Sequence, residues 1–525
     1  MIQRAPALSL LLAFLSTPAW GQDPFAEGER WHHDATTQAP WVPSGVAFSG
    51  REDLVWAGSK GSTGGMMLFH TAASGSQVPR ATDPTTHVGA TYLESAAGRR
   101  AEALFSLTQS PNPGPYQRRT RVFGYDGASA PVGGLLSPGW THDVGFDTNG
   151  PARLAVDREG AVVLVAVWNN LTSRVQLDWL DGTRGTLLMR RTVSALALDA
   201  LALSADGKRT AVSTGTNLVL FDETGTILHV EPLNNAVHCL TWDANGTTVA
   251  VGGAGQVALL EEQARNWVNR LNVTRGPQQI ATAVDLDQAG DVLGIGWWEA
   301  SAGVDVELEV WDTRKGLVLN SKVLPGVSGG AQNRVEVVDV SSDGKRVAFG
   351  TWGNGIHAEM FLLDVGVSQS VLESSLPGSV RDLEIDESGS QLAVAYQDAH
   401  RSQFTNTGGV ALFQSGDREL VQLDPAELGA GLRLATRKSS ATLAFLLYGQ
   451  RANPIQFPGV QGLLHIDRKT LAYQWQVPQA GRAQFLLSIP TDASLIGTHF
   501  AVQAAFRTPT GTILSPHVVD PLILP

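Results

Sequence analysis

One short pattern recurs along most of this chain and constrains its fold more than any other feature. An alternating apolar strand leads into a turn with Asp, Asn or Gly, a second strand follows, and a third strand ends in Asp. The clearest copy begins at Ala200, turns at Gly207 and ends its third strand at Asp222. Period-2 alternation between such turns is typical of antiparallel β-strands. The repeat therefore predicts an all-β protein.

The turn glycine marks each copy of the repeat. Eight glycines take this place, and they are Gly50, Gly98, Gly160, Gly207, Gly246, Gly290, Gly344 and Gly389. Successive turns are 39 to 62 residues apart, at or above the ~40–45 residues of a four-stranded propeller blade. A parallel β-solenoid is the competing repeat fold, but its rungs are much shorter. Because radial closure protects sheet edges, we expect a β-propeller of seven or eight four-stranded blades over residues 42–425.

A second kind of β-structure is predicted for residues 430–525. The turn motif does not recur in these residues. Six short runs alternate with period 2, and they are residues 441–448, 462–466, 470–477, 483–489, 500–506 and 518–524. Pro and Gly separate these runs. Such spacing favours a small β-sandwich.

Several strings resemble known families. Residues 204–212 and, in part, 342–348 resemble the turn of WD40 and YVTN-type propeller repeats, and Val310-Trp-Asp312 is similar to their Trp-Asp strand end. Phe221-Asp-Glu-Thr-Gly225 resembles a turn of quinoprotein-like propellers. Residues 489–503 resemble a module at the C-terminus of secreted planctomycete-type bacterial proteins. These resemblances imply a propeller over about residues 42–423 and an accessory domain, without fixing an activity.

The first 21 residues have the pattern of a signal peptide. Arg4 precedes an apolar run at residues 8–15, and Ala19 and Gly21 place small residues where a signal peptidase cleaves. We expect cleavage near Gly21, a linker at residues 22–41, and a secreted or cell-envelope (periplasmic) protein. The sequence has no other stretch near the ~20 apolar residues of a membrane span. The single cysteine, Cys239, is expected to be a small core residue of a strand at residues 237–242.

Charge and motifs exclude several functions. A formal charge of −12 argues against nucleic acid as a partner. The sequence contains no His-Glu-x-x-His, no phosphate-binding loop and no Cys/His cluster with metal-ligand spacing. The Asp residues of the repeat, such as Asp206 and Asp343, have the places of turn formers. We therefore predict no catalytic residue, no metal site and no cofactor.

Aromatic residues recur at one place in the repeat. Trp168, Trp298 and Trp352 each follow a turn glycine by eight residues. This spacing places them where the second strand enters a loop, and loops on rigid scaffolds commonly bind ligands. The candidate ligand-binding residues are Trp56, Trp168, Trp298, Trp352, Tyr396, His357, Asp398 and His400. The alternative is that the aromatic side chains pack between neighbouring blades.

Three functions remain open from the sequence. The first is a non-enzymatic binding or scaffold protein whose aromatic loop face meets a protein, peptide or glycan. The second is an extracellular quinoprotein-like oxidoreductase or hydrolase with its site at the propeller axis. The third is an architectural role in the cell envelope, with residues 430–525 as the attachment.

Overall fold

The structure is a computed structural model that describes most of the chain from residue 28 onwards. The described residues are 28–34, 42–48, 54–60, 66–70, 91–97, 103–111, 118–126, 137–147, 150–233, 235–299, 306–326, 333–367, 370–400, 407–415, 420–422, 426–427, 429–438, 441–456, 460–461, 463–479, 482–495, 500–509, 511–519 and 523–524. They form antiparallel sheets almost throughout, with one 3-10 turn at Ala493–Leu495 as their only helical element. The all-β prediction is confirmed. The predicted signal peptide and the turn glycines Gly50 and Gly98 lie outside the described residues.

The first described strand is β1 (Gly28–Asp34), and sheets 1 to 4 follow it in chain order. Sheet 1 contains β2 (Val42–Phe48), β3 (Leu54–Lys60) and β4 (Met66–His70). Sheet 2 contains β5 (Thr91–Ala97), β6 (Ala103–Pro111), β7 (Arg118–Asp126) and β8 (Trp140–Asp147). Sheet 3 contains β9 (Ala152–Val156), β10 (Val162–Asn169), β11 (Arg174–Asp181) and β12 (Leu187–Ser194). Sheet 4 contains β13 (Leu201–Leu203), β14 (Thr210–Ser213), β15 (Asn217–Phe221) and β16 (Ile227–Pro232).

Sheets 5 to 7 repeat the same four-stranded order, and sheet 8 differs in its last strand. Sheet 5 contains β17 (Val237–Trp242), β18 (Thr248–Gly253), β19 (Gln256–Gln263) and β20 (Asn266–Thr274). Sheet 6 contains β21 (Gln279–Leu286), β22 (Val292–Glu299), β23 (Val306–Asp312) and β24 (Leu317–Leu324). Sheet 7 contains β25 (Val335–Val340), β26 (Arg346–Thr351), β27 (Met360–Asp364) and β28 (Ser370–Ser374). Sheet 8 contains β29 (Val380–Ile385), β30 (Gln391–Gln397) and β31 (Gly408–Gln414), and β1 pairs with β31 as its fourth strand.

The predicted turn glycines join the first two strands of their sheets. Six of them lie in the described part of the chain, all with φ between 66° and 72°. L side chains rarely adopt this conformation, whereas glycine does so without steric cost. At Gly207, the side chain of Asp206 accepts hydrogen bonds from the backbone N–H of Lys208 and the hydroxyl of Ser204. The interpretation of this Asp as a turn former is confirmed.

The first strands of the eight sheets contact one another in succession. β2 contacts β5, the contacts continue through β9, β13, β17, β21 and β25 to β29, and β29 contacts β2. Buried apolar clusters fill the spaces between neighbouring sheets; the cluster between sheets 6 and 7, for example, includes Leu308, Val338 and Phe349. Cys239 packs against the cluster between sheets 5 and 6, and burial raises the pKa of its thiol to about 12. The predicted strand at residues 237–242 is confirmed, and Cys239 is a half-buried residue at the edge of the core.

The C-terminal part forms smaller sheets with strands close to those predicted. Its strands are β32 (Leu420–Gln422), β33 (Ala426–Glu427), β34 (Gly431–Arg437), β35 (Leu443–Gly449), β36 (Arg451–Gln456), β37 (Val460–Gln461), β38 (Leu463–Ile466), β39 (Ala472–Gln476), β40 (Arg482–Ser488), β41 (Ala501–Thr508), β42 (Gly511–Val519) and β43 (Ile523–Leu524). One sheet has the order β32-β34-β40 and another the order β37-β42-β41-β35-β39. Residues of both, including Leu434, Phe485, Leu446 and Phe506, share one buried cluster. Two short pairs, β33-β43 and β36-β38, complete the set.

Two strands lie beyond the predicted domain limits. β1 falls within residues 22–41, the predicted linker, and β32 falls within residues 42–425 although it pairs with β34 of the C-terminal part. Neither strand contains a turn motif, so the repeat offered no local signal for its pairing.

Candidate functional site

Two of the predicted ligand-binding residues lie in the core. Trp56 is 1% exposed and Tyr396 is 2% exposed. Trp56 lies in the middle of β3, opposite Ala47 of β2, rather than at the strand end. Tyr396 packs in the cluster between sheets 7 and 8. The packing alternative accounts for both side chains.

The other three aromatic candidates are half-buried at the ends of second strands. Trp168 lies near the end of β10, and its indole N–H donates to the carbonyl of Ala195 at 3.3 Å. Trp352 follows β26 directly, and its indole N–H donates to Oε2 of Glu336 at 2.7 Å. The buried indole nitrogen of Trp298 has no hydrogen-bond acceptor among the described residues. These indoles keep some exposed surface that a ligand can cover.

The surroundings of Trp352 are polar. Its backbone N–H donates to the carbonyl of Arg334 at 2.9 Å, and the guanidinium of Arg334 lies 5.3 Å from the centroid of its ring. Glu336 is the extra residue of a bulge between Val335 and Val337. Bulges redirect side chains and are common next to functional sites. Sequence reasoning did not find Arg334 or Glu336, because a bulge cannot be read from the alternation of a strand.

The three polar candidates have different environments. Asp398 is exposed, while Nε2 of His357 lies 3.1 Å from the carbonyl oxygen of Pro325. Nδ1 of His400 lies 3.6 Å from Oε1 of Glu359. A Cβ at Gly353, the residue after Trp352, would lie 2.7 Å from this Nδ1. The structure therefore places the predicted residues Trp352 and His400 next to Gly353.

Glu359 is a functional candidate that the sequence analysis missed. It is 1% exposed and directly precedes β27, in which every residue except the last is apolar. Its Oε2 accepts the backbone N–H of Leu376 at 2.8 Å. Burial raises the pKa of Glu359, while the nearby His400 opposes this shift. The sequence signal for Glu359 was an acidic residue directly before an apolar strand. This signal is weak, because charged residues are common where a loop meets a strand.

Four carboxyls on the first strands of sheets 6 to 8 form a second candidate group. We call Asp285, Asp339, Asp382 and Glu384 the first-strand carboxyls. Each accepts a backbone N–H of the next sheet: Asp285 from Val340 at 2.8 Å, Asp339 from Ile385 at 2.5 Å, Asp382 from Val46 at 2.9 Å and Glu384 from Phe48 at 3.2 Å. Three of the four lie five residues before a turn glycine, a recurrence that the sequence contained and the analysis overlooked.

A cavity of about 370 Å³ lies among the first strands of sheets 3 to 7. Its lining includes Ala155, Ala202, Thr241, Asp285 and Asp339. These residues share the position five before the turn glycine, and only sheets 6 and 7 place a carboxyl there. At this position the carboxyls of the first-strand cavity therefore come from sheets 6 and 7, while Asp157 and Arg158, directly after β9, add charged groups to the lining on the side of sheet 3.

Two of the first-strand carboxyls, Asp285 and Asp382, have raised pKa values. Burial raises the pKa of Asp382 to about 8, and the neighbouring Glu384 and Asp339 add to the shift. Burial and the neighbouring Asp339 likewise raise the pKa of Asp285 well above its ordinary value. In both cases a backbone N–H bond opposes the shift without cancelling it. Asp285 and Asp382 therefore keep their protons to a higher pH than an exposed carboxyl does, while each accepts a backbone N–H of the next sheet.

Replacement of Asp382 by Asn should flatten the dependence of stability on pH. A carboxyl whose pKa is higher in the folded protein holds a proton that unfolding releases, so stability falls as pH rises from about 4 towards 8. Asn keeps the acceptor for Val46 and cannot ionise. We expect D382N to exceed the wild type by about 1–3 kcal/mol at pH 9, after discounting for partial water access, with no such gain at pH 4. Urea unfolding at both pH values measures this difference.

The matched control is Asp398→Asn, which removes an exposed carboxyl. It should leave the difference between pH 4 and pH 9 unchanged. Equal pH profiles for D382N and the wild type would contradict the assignment of a raised pKa to Asp382.

The described residues contain no group of three or more His, Cys, Asp or Glu side chains arranged to hold a metal ion. Among the same residues, no helix is long and apolar enough to cross a membrane.

The sheets define the class of this chain as an all-β protein with a propeller-like repeat of antiparallel four-stranded sheets. No protein-family model matches the sequence, and no curated protein matches it. One solved structure similar to this chain is that of U3-55K. It has 10% sequence identity and a TM-score of 0.45, and the match covers 74% of this chain and 100% of that chain.

Proposed function

We propose that this chain is a secreted, non-enzymatic binding or scaffold protein whose partner is a protein, peptide or glycan. The observation that carries the proposal is the set of half-buried indoles at the ends of second strands, Trp168, Trp298 and Trp352. Indoles supply large, rigid contact area at a small entropic cost. The signal-peptide pattern of residues 1–21 supports secretion or a place in the cell envelope.

The scaffold in this proposal is a closed propeller of eight blades followed by a β-sandwich. The first strands contact one another in order from β2 to β29, and β29 contacts β2, which supports closure. Two hydrogen bonds support it as well, because the backbone N–H groups of Val46 and Phe48 in sheet 1 donate to carboxyls of sheet 8. An ion pair between Arg158 of sheet 3 and Glu387 of sheet 8 also links distant sheets. The cluster shared by two C-terminal sheets supports the sandwich. The resemblance to WD40-type repeats agrees with a closed ring.

Replacing Trp168, Trp298 and Trp352 together by Ala should abolish partner binding while the protein stays folded. Each side chain is half-buried, so we expect each replacement to cost less than about 2 kcal/mol of stability. Binding of labelled wild-type and variant protein to a combined glycan and peptide array measures the first effect, and thermal unfolding measures the second. Trp475→Ala, which removes an exposed indole of the C-terminal part, is the control. Unchanged array binding by the triple variant would refute the proposal.

The alternative function is an enzyme with its site among the first strands. The first-strand carboxyls and the adjacent cavity favour it, because acidic groups there could bind Ca²⁺ or act on a substrate. Against it, each carboxyl already accepts a backbone N–H of the next sheet. A Gly-Val-Ser-Gly-Gly string at 326–330 has the spacing of a nucleophile elbow, but its serine, Ser328, lies outside the described residues.

A calorimetric titration with Ca²⁺ separates the two functions. The binding protein should give no saturable heat at millimolar Ca²⁺, and the same should hold for D382N. Saturable binding to the wild type that D382N abolishes would favour the enzyme.

A further inference from the structure

Sheets 6 to 8 and their connections contain several buried side-chain nitrogens without a hydrogen-bond partner among the described residues. Five of them are Nε1 of Trp298, Nδ2 of Asn333, Nε of Arg334, Nδ2 of Asn354 and Nδ1 of His400. Buried polar groups are normally paired, and an unpaired one costs free energy. A concentration of unpaired groups therefore calls for an acceptor from elsewhere.

Three of these donors surround Gly353. The backbone N–H of Gly353 donates to Oδ1 of Asn333 at 2.8 Å, and Asn354 is the next residue. A Cβ at Gly353 would lie 2.7 Å from Nδ1 of His400 and 2.5 Å from Oε1 of Glu359. Gly353 has φ of 70°, so its conformation also favours glycine. We call Asn333, Arg334, Trp352, Gly353, Glu359 and His400 the Gly353 cluster.

Trp298 approaches the same region from sheet 6. A Cβ at Gly296 would contact Val335 of sheet 7, so β22 and β25 lie side by side there. Trp298 is two residues beyond Gly296, and Asn333 is two residues before Val335. Because β22 and β25 run in opposite directions along this contact, both residues lie towards the same end of their sheets.

Asn333 is the most constrained of the donors. It is 1% exposed, and its Oδ1 is held by the N–H groups of Gly353 and Arg334 at 2.8 and 2.9 Å. These bonds fix the side-chain amide so that Nδ2 is oriented without an acceptor in the described part of the chain. A fixed, buried and unpaired donor is preorganised for a ligand oxygen.

The unpaired groups determine the chemistry of the ligand. The unpaired nitrogens of Trp298, Asn333 and Asn354 can only donate. Nε of Arg334 lies 3.5 Å from Oε2 of Glu336, and Nδ1 of His400 lies 3.6 Å from Oε1 of Glu359, so these two already face a carboxylate. One oxygen of each nearby carboxyl already accepts a hydrogen bond, since Oε2 of Glu336 accepts from Trp352 and Oε2 of Glu359 accepts from Leu376. A peptide backbone brings equal numbers of donors and acceptors, which would leave its own N–H groups unpaired here. An acidic sugar brings a carboxylate, hydroxyl and ring oxygens, and a flat apolar face for an indole.

We propose that the Gly353 cluster, with Trp298, is a binding site for a uronate-containing saccharide. This inference rests on the proposed binding function and names its ligand class. The ligand carboxylate lies at Arg334, sugar oxygens accept from Asn333 and from Asn354 beside the cluster, and the half-buried indoles cover the sugar face. Salt weakens the binding, because the carboxylate contact is partly exposed to solvent.

The test is calorimetric titration of the full mature protein with a galacturonate trisaccharide and with the uncharged galactose trisaccharide. The wild type should bind the galacturonate trisaccharide more tightly. Asn333→Asp keeps Oδ1 for Gly353 and replaces the donor by an oxygen, so we expect at least a tenfold loss of affinity, about 1.4 kcal/mol. Asn354→Asp makes the same exchange at the neighbouring donor if N333D does not fold. Arg334→Gln should remove the preference for the charged trisaccharide.

Trp475→Ala serves as the control and should bind like the wild type. Failure of the wild type to bind the galacturonate trisaccharide, or wild-type affinity in both N333D and N354D, would overturn the ligand class. If the wild type then binds an array peptide through Trp298 and Trp352, the proposed binding function stands and only the saccharide is refuted. If the triple Trp variant retains all array binding, the proposed function fails as well.

Discussion

Deletion of residues 22–34 should destabilise the protein more than any single substitution, because it removes β1 from sheet 8. β1 pairs with β31 from Gly28 opposite Gln414 to Asp34 opposite Gly409. Arg30, only 8% exposed, donates to the side chain of Gln414. Without β1, the edge of β31 loses these partners and its unpaired N–H and C=O groups face solvent.

The expected loss follows from the number of interactions. Six partner pairs join the strands, and each net hydrogen bond contributes about 0.5–1.5 kcal/mol. We expect the free energy of unfolding to fall by about 5 kcal/mol or more, a large part of the 5–15 kcal/mol of a typical domain. Urea unfolding followed by tryptophan fluorescence measures the loss.

A peptide of residues 28–34 provides the matched control. Added in excess, it should bind the deleted protein and restore part of the lost stability, whereas a scrambled peptide should not. A deletion variant as stable as the full chain would contradict the role of β1 and with it the proposed closure of the ring.

The repeat was predictable because its signals are local. Each turn glycine lies within a few residues of the two strands that it joins, and a φ near 70° is a requirement of the turn itself. Pairing of β1 was not predictable, because its partner lies about 380 residues away and its sequence, Gly-Glu-Arg-Trp-His-His-Asp, has no clear alternation. Neighbours that distant in sequence leave no periodic signal.

The candidate site was only partly predictable for a related reason. Spacing from the turn glycine found Trp298 and Trp352 at strand ends, but burial depends on which sheet packs against each residue. A shorter spacing, six residues after Gly50, selected Trp56, which is 1% exposed. Asn333 and Glu359 escaped notice, because their importance comes from contacts with Gly353 and His400 across different loops.

Replacing Trp297 by Ala should cost about 3–5 kcal/mol, whereas Trp298→Ala should cost about 1 kcal/mol or less. Trp297 is 1% exposed, and its indole N–H donates to Oε2 of Glu309 at 2.8 Å. Its loss leaves a cavity between sheets and removes one partner of a carboxyl that is itself 1% exposed. Arg275 also lies over the Trp297 ring, at 5.9 Å from the centroid.

The two residues form a matched pair, because they are adjacent in β22 and their side chains point to opposite faces. Trp298 is half-buried and its indole nitrogen has no acceptor among the described residues, so its removal breaks no hydrogen bond there. Urea unfolding of both variants measures the contrast. Equal losses would mean that Trp298 is a packing residue like Trp297. A large loss of stability in W297A alone would mean that Trp298 contributes little to packing, as we expect of a side chain that a ligand covers.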